Sequence, residues 1–319
     1  MSRILIVLSA ADAWTQADGT SQPTGYWAEE FVVPHEAFVR AGHAVDVATP
    51  GGRPPTPDEL SFSPDIAGTG TEHYARYLAD LSGTLDAPLD LADVAADRYA
   101  AVVIPGGHGP MEDLAGDPAM GSVLNAAAAG GAVVAAVCHG PAALLSAVGP
   151  DGAWPFHGRR LTCLTNAEET AFGTAAKAPW LLETRLRECG GIMDAADNWA
   201  VHVVRDGNLI TGQNPGSSAA LAAAVLDALA AAVLDARGAA VLDARGAAVL
   251  DARGAAVLDA RGAAVLDARG AAVLDARGAA VLDARGAAVL DARGAAVLDA
   301  RGAAVLDARG AAVLDARGE

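Results

Sequence analysis

The feature that most constrains the fold is an uninterrupted run of six small or β-branched apolar residues, Ala132–Val137, which ends at Cys138. Such a run is typical of a strand that is buried on both faces of a parallel sheet. Gly140 and Pro141 follow at once and open an apolar segment, 142–145. The pattern therefore predicts a strand, a sharp turn that carries a cysteine, and a helix. Ser hydrolases use this arrangement to present a nucleophile.

Cys138 has two interpretations, a nucleophile or a buried structural cysteine. At the predicted turn its sulfur would meet a helix N-terminus, whose dipole favours the thiolate that attacks carbon. The Cys-His-Gly-Pro context favours the nucleophile. Cys163 lies in an apolar strand and Cys189 at a helix end, so we expect structural roles for both.

Strand-like and helix-like segments alternate along the first 230 residues. The predicted strands are Arg3–Leu8, His43–Ala48, Ala101–Pro105, Ala132–Val137 and the hairpin Val201–Val204 with Leu209–Thr211, and the predicted helices are Glu30–Ala41, Ala119–Ala129 and Pro179–Cys189. This alternation predicts an α/β fold, flavodoxin-like, with a mostly parallel sheet sandwiched by helices. Ligands in such folds bind at the carboxyl ends of the strands. Residues 51–100 show no firm period and are predicted to fold over the site.

The C-terminal part of the chain is a low-complexity repeat. The octapeptide Ala-Ala-Val-Leu-Asp-Ala-Arg-Gly occurs eleven times from Ala231 to Gly318. Eight residues advance a helix by about 800°, so the Val-Leu pair winds around the axis, and strict strand alternation is not evident. We therefore predict a catalytic domain at 1–222 and a tail at 223–319 without a stable fold of its own, the product of an expanded short repeat. A marginal helix and an assembly tract are the alternatives.

Charge and composition exclude several classes of partner. Each repeat carries one Asp and one Arg, so nearly all of the net charge of −17 belongs to the first 230 residues. An acidic surface argues against nucleic acid and anionic membranes. The apolar run Ile4–Leu8 is too short for a signal peptide, and three cysteines give no disulfide framework. We expect a cytoplasmic protein, and no Cys-x-x-Cys or His-Glu-x-x-His spacing predicts a metal site.

Other residues near the predicted strand ends could carry chemistry. Glu30 stands at a helix entrance, where it is either a charge that favours the helix dipole or a functional carboxylate. Its neighbour Glu29 is expected to face solvent. Gly106 and Gly107 either form a plain turn or bring N–H groups close to a developing oxyanion, with the His139 N–H as the other donor. His108 is either a pocket wall or a proton carrier, and the sequence does not decide.

Five motifs together resemble one known superfamily. They are Thr24-Gly25-Tyr26-Trp27-Ala28-Glu29-Glu30, Pro105-Gly106-Gly107-His108-Gly109, Ala136-Val137-Cys138-His139-Gly140-Pro141, Asn166-Ala167-Glu168-Glu169-Thr170 and Thr211-Gly212-Gln213-Asn214-Pro215. The chain resembles the class I glutamine-amidotransferase-like domains that include the DJ-1 and PfpI proteins, and within them the heat-shock-chaperone-like branch with glyoxalase III activity. The resemblance implies that Glu30 touches the sulfur, that His139 is a base, and that Glu169 orients it; Glu168 stays an alternative.

The same resemblance implies a cofactor-independent lyase of the D-lactate dehydratase type. It would convert methylglyoxal to lactate without glutathione, through a hemithioacetal on Cys138, and could also act as a protein deglycase. A small 2-oxoaldehyde is the expected partner, and a homodimer is considered. The alternatives are a redox-sensing or chaperone-like stress protein that oxidises Cys138, and a Cys peptidase. A glutaminase is disfavoured because His202, the only late histidine, has no acid two residues on.

Overall fold

The computed structural model describes residues 2–230 and nine strand segments between residues 249 and 316. The chain divides into two compact units, Met1–Ala230 and Ala231–Glu319. No helix among the described residues is long and apolar enough to cross a membrane.

A seven-stranded sheet forms the centre of the first unit. In chain order the strands of this unit are β1 (Arg3–Val7), β2 (Ala13–Thr15), β3 (Ser21–Pro23), β4 (Ala44–Thr49), β5 (Leu89–Asp90), β6 (Ala101–Ile104), β7 (Val133–Val137), β8 (Arg160–Leu161), β9 (Ile192–Met193), β10 (Val203–Asp206) and β11 (Leu209–Gly212). The sheet order is β10-β11-β7-β6-β1-β4-β5, and every pair is parallel except β10 with β11. The predicted mostly parallel sheet is therefore confirmed. The ribbons β2-β3 and β8-β9 lie outside it.

Helices cover both faces of this sheet. The α-helices are α1 (Ala28–Arg40), α2 (Pro64–Ala67), α3 (Thr71–Asp80), α4 (Ser82–Leu85), α5 (Gly109–Glu112), α6 (Pro118–Gly130), α7 (Asn166–Phe172), α8 (Leu182–Glu188) and α9 over 218–230. Short 3₁₀ segments occupy Pro50–Gly52, Glu59–Phe62, Leu91–Asp93, Ala96–Arg98, Leu114–Gly116, Gly140–Ser146 and Pro215–Ser217. Residues 51–100, where the sequence showed no period, hold three of the short α-helices.

The alternation of side chains along each strand explains the unbroken apolar run of β7. Val134 and Ala136 pack with α6 and α8 in one core cluster. Val133, Ala135 and Val137 pack with α1, α3 and α9 in the other. Because successive side chains of a strand point to opposite faces, a strand that is covered on both sides must be apolar throughout.

The described repeat segments are nine strands, β12 (Val249–Ala252), β13 (Ala256–Ala260), β14 (Ala264–Ala268), β15 (Ala272–Ala276), β16 (Ala280–Ala284), β17 (Ala288–Ala292), β18 (Ala296–Ala300), β19 (Ala304–Ala308) and β20 (Ala312–Ala316). Even-numbered strands form one parallel sheet and odd-numbered strands another. Each strand pairs with the strand sixteen residues on, as in Val249 with Val265. Two octapeptides therefore make one structural period.

Leu and Val differ in burial where the structure describes their side chains. Leu282, Leu290 and Leu298 are buried, whereas Val297 and Val305 are exposed. The sequence of each repeat strand does therefore alternate: Ala and Leu occupy every second position, and Val and Asp stand between them. The small size of Ala hides this pattern. These strands are a finding that the sequence analysis did not expect. The domain boundary and the predicted lack of independent stability stay predictions.

Candidate active site

The turn after β7 has the geometry that the sequence predicts for a nucleophile. Cys138 has a φ of 58°, which is uncommon for any residue but glycine and is found where the surrounding structure enforces it. Its N–H donates to the Gly212 carbonyl at 3.0 Å, and its carbonyl accepts from the Leu164 N–H at 2.9 Å. These bonds to two neighbouring segments fix the turn. The helix that follows is a seven-residue 3₁₀ segment, Gly140–Ser146, instead of an α-helix.

The thiol of Cys138 is not the preformed thiolate that the sequence analysis expected from a helix dipole. Burial raises the pKa of Cys138 well above its ordinary value, and the carboxyl group of Glu30 raises it further. The N–H of Gly107 donates to the sulfur and opposes these effects, but it is outweighed. The resting site therefore holds a thiol, and the sulfur could act as a nucleophile only after a base removed its proton.

His139 is placed to act as that base. Its Nδ1 lies 3.5 Å from the Cys138 sulfur, and its Nε2 lies 2.6 Å from Oε2 of Glu169. All three side chains are buried. A thiol, an imidazole and a carboxylate in this order can transfer the thiol proton to the ring while the carboxylate stabilises the resulting cation.

Glu169 also contacts the second histidine that the sequence singled out. Its Oε1 lies 3.0 Å from Nε2 of His108 and accepts from the hydroxyl of Thr174. Burial alone would raise the pKa of Glu169, but His139 and His108 outweigh burial and hold the pKa well below its ordinary value. Glu169 is therefore ionised and serves two imidazoles at once.

Glu168, the alternative partner of His139, has a different set of contacts. Its Oε2 accepts from the N–H and hydroxyl of Thr165, which cap α7. Its Oε1 accepts from the Trp199 N–H at 2.8 Å, from the Gln213 amide at 3.1 Å and from the Asn214 amide at 2.9 Å. The structure thus places Glu169 on the histidine and Glu168 on the loops around the cavity.

Glu30 enters the site from α1 and lies against the sulfur. It is fully buried, its Oε2 accepts from the Gly106 N–H at 2.6 Å, its Oε1 has no hydrogen-bond partner among the described residues, and its carboxyl group lies beside the Cys138 thiol. Burial raises the pKa of Glu30 well above its ordinary value. Burial therefore favours the protonated form of Glu30, which can hold or release a proton beside the sulfur.

The two glycines after β6 have separate functions. The Gly106 N–H is already taken by Glu30, so the expectation that it faces an oxyanion is wrong. A Cβ on Gly106 would lie 2.6 Å from the His139 nitrogen, which shows how closely the two segments approach. The remaining donors near the sulfur are the N–H groups of Gly107 and His139. The latter has no partner among the residues that the structure describes.

A cavity of about 570 Å³ opens above Cys138. Its walls are mainly apolar or aromatic, with Trp27, Leu60, Ile66, Ala67, Leu164, Phe172, Trp199 and Pro215, and its polar lining includes Gln22, Glu29, Asp58, His108, His139 and Asn214. Leu60, Ile66 and Asp58 belong to 51–100, which does cover the site. The sequence analysis did not single out Phe172, Trp199 or Asp58, because no motif connects them to Cys138.

Glu29 corrects another expectation. It was predicted to face solvent, but it is half-buried and lines the cavity. Burial raises the pKa of Glu29 to about 7. Its side chain therefore changes charge near neutral pH, within reach of a bound substrate.

The cluster could in principle hold a metal ion. His108, His139 and Glu169 each place one ligand atom within 4.8 Å of the others. Hydrogen bonds already join these atoms, at 2.6 and 3.0 Å. We therefore describe the cluster as a hydrogen-bonded network.

Three proteins of known name are similar to this chain. Human glutamine amidotransferase-like class 1 domain-containing protein 1 is 32% identical over 175 residues, 54% of this chain and 75% of that protein. Protein/nucleic acid deglycase HchA of Pseudomonas aeruginosa is 32% identical over 212 residues, 62% and 70% of the two chains. Glutathione-independent glyoxalase HSP31 of Saccharomyces cerevisiae is 28% identical over 233 residues, 71% and 97%.

A solved structure and a family model agree with these similarities. Rapid Encystment Protein 24 KDa of Francisella tularensis superposes with a TM-score of 0.66 at 27% identity, over 72% of this chain and 99% of that one. The model of the DJ-1/PfpI family matches residues 23–228, which include the whole network around Cys138. The chain therefore belongs to the DJ-1/PfpI family.

Proposed function

We propose that this protein is a glutathione-independent glyoxalase, a cofactor-independent lyase that converts methylglyoxal and water to lactate. The observation that carries the proposal is the buried network of thiol, imidazole and carboxylate, with a neutral carboxyl group on the sulfur, at the floor of an apolar cavity. The names of the yeast and Pseudomonas relatives support the same chemistry. Reversal of early 2-oxoaldehyde adducts on proteins would use the same thiol.

The reaction begins with capture of the aldehyde by Cys138. As a substrate enters, His139 takes the thiol proton, and the sulfur attacks the aldehyde carbon. The N–H groups of Gly107 and His139 are the donors that would stabilise the oxygen that becomes negative. Covalent capture divides one difficult rearrangement into easier steps.

The captured substrate is then isomerised and released. A proton moves from the aldehyde carbon, C1, to the neighbouring carbon, C2, through an enediol, which leaves lactate bound to the sulfur as a thioester. Water hydrolyses this thioester. Glu30 is placed to return a proton to the departing sulfur, since its carboxyl group lies beside it and burial favours the protonated form.

The test is lactate formation by the purified full-length chain from methylglyoxal without glutathione. Cys138→Ser should abolish lactate formation while the thermal midpoint is retained, because a serine hydroxyl is much less readily ionised in this site. Cys189→Ser is the matched control, since that thiol lies outside the cavity, and it should retain full activity. Lactate formation by Cys138→Ser at the wild-type rate would exclude the covalent mechanism.

A further inference from the structure

Two imidazoles share one carboxylate beside the cavity. Glu169 contacts Nε2 of His139 and Nε2 of His108, and the centroids of the two rings lie 4.1 Å apart. Activation of Cys138 accounts for His139, whose Nδ1 faces the sulfur. It does not account for His108, which lines the same cavity.

The isomerisation step needs a base that the groups around the sulfur do not supply. This inference rests on the proposed function. Once Cys138 has captured the aldehyde, His139 carries the former thiol proton and is a cation. Glu30 is not part of the cavity lining, and burial favours its protonated form, which cannot accept a proton. The C1 proton must therefore pass to a third group.

His108 has the properties of such a base. With Nε2 bonded to Glu169, its Nδ1 has no hydrogen-bond partner among the described residues, and the ring lines the cavity. Burial and the proximity of His139 lower the pKa of His108, against the opposing charges of Glu169 and Asp58. The ring is therefore neutral at pH 7. Trp14 stacks on it at 4.4 Å and fixes its orientation.

We propose that His108 is the base that carries the proton from C1 to C2 of the captured substrate. Nδ1 of His108 takes the C1 proton, the C1–H electron pair forms a C1=C2 double bond, and the C2 carbonyl oxygen takes the proton held by His139. C2 then takes the proton back from His108 while the C1 oxygen, anionic since capture, forms a carbonyl. The product is the Cys138 thioester of lactate, and the isomerisation consumes no oxidant or reductant.

The experiment uses the full-length chain and methylglyoxal that carries deuterium at C1. The wild type should form lactate more slowly from this substrate and should transfer part of the deuterium to C2. His108→Gln should reduce lactate formation by about 10²-fold or more, the range for loss of a positioned base. Capture, measured as protection of Cys138 from iodoacetamide, should persist in His108→Gln and be lost in His139→Gln.

Chemical rescue separates a base from a positioning residue. Imidazole added to His108→Gly should restore lactate formation, and substituted imidazoles should restore it in the order of their basicity. His35→Gln is the matched control, because His35 is also buried but lies outside the cavity lining. Its turnover should stay within threefold of the wild type.

Several results would overturn the inference. One is turnover by His108→Gln within tenfold of the wild type. Another is that His108→Gln loses capture of the substrate as well as lactate formation. A wild type that shows neither an isotope effect nor deuterium at C2 would also overturn it, even if no variant folds. Absence of lactate from the wild type would overturn the proposed function itself, and this inference with it.

Discussion

At the scale of single residues, the side chain of Glu30 should affect both the turnover and the stability of the protein. Glu30→Gln keeps the size of the neutral carboxyl group and the acceptor for the Gly106 N–H, but it cannot release a proton to the sulfur. We expect turnover to fall by about 10²-fold. The thioester on Cys138 should accumulate, visible as a mass increase of the intact protein. A variant that turns over without such an intermediate would show that Glu30 does not act at the leaving sulfur.

The same substitution predicts a change in the pH dependence of stability. The pKa of Glu30 is higher in the folded than in the unfolded chain, so the folded state holds this proton more tightly. The wild type should therefore be favoured below the unfolded pKa and lose this contribution as the pH rises towards the folded pKa. Glu30→Gln should have the higher thermal midpoint at pH 8, with the difference shrinking towards pH 4. Parallel midpoint curves for the two proteins would contradict the assignment of a neutral Glu30.

The sequence predicted individual site residues better than their contacts. Cys138 and His139 are adjacent in one motif, so their proximity needed no fold. The contact of Glu169 with both His108 and His139 depends on how α7 packs against the ends of β6 and β7, which no spacing along the chain reveals. The use of the Gly106 N–H by Glu30 was missed for the same reason.

At the scale of elements, Glu168 connects the start of α7 to two loops of the cavity. Its carboxylate accepts from donors on Thr165, Trp199, Gln213 and Asn214, and an amide would turn an N–H towards some of them. We expect Glu168→Gln to cost about 1–3 kcal/mol in the free energy of unfolding, the usual range for an unpaired buried polar group.

Because Trp199 and Asn214 would lose their fixed positions, Glu168→Gln should raise KM more than it lowers kcat. Glu169→Gln is the matched comparison and should lower kcat instead, since it contacts His139. Urea unfolding and steady-state kinetics on both variants test this. Equal effects on kcat would mean that the two glutamates do not have separate functions.

The sequence predicted the central strands and long helices because their hydrophobic pattern is strong. It predicted β7 from an unbroken apolar run, and the structure confirms it. It missed α3 and the ribbon β2-β3, which pack at the edge of the core and carry a weaker pattern. It also expected an α-helix after Cys138, where the chain forms a tight 3₁₀ segment at the closely packed end of β6.

At the scale of the whole molecule, the lining of the cavity predicts selection of substrates by charge and size. Its lining combines apolar walls with the acids Glu29 and Asp58, and no Lys or Arg among the described residues lines it. We expect phenylglyoxal, which is uncharged and bulky, to be accepted, and 4-carboxyphenylglyoxal, its anionic analogue, to be turned over at least tenfold less efficiently.

Above pH 7, Glu29→Gln should reduce the ratio of kcat/KM for the uncharged substrate to kcat/KM for the anionic one. The pKa of Glu29 is about 7, so the wild-type carboxyl group is ionised in this range and repels an anion. Measurements of kcat/KM for both substrates between pH 6 and 8 provide the check. A preference for 4-carboxyphenylglyoxal in the wild type would mean that a cation reaches the cavity from elsewhere.

The repeat tail gives the last prediction. The unit Met1–Ala230 has its own sheet and two buried cores, and the network around Cys138 lies wholly within it. A chain that ends at Ala230 should therefore retain the turnover and nearly the thermal midpoint of the full protein. Among the repeat side chains that the structure describes, Leu282, Leu290 and Leu298 are buried and Val297, Val305 and Val313 are exposed.

If the repeat strands are stable, amide hydrogens of β13 to β20 should exchange slowly. If the tail has no independent stability, as the sequence predicts, these amides should show almost no protection. Hydrogen exchange on the full chain distinguishes the two results. Loss of turnover on truncation would instead show that the catalytic unit depends on the repeats for its stability.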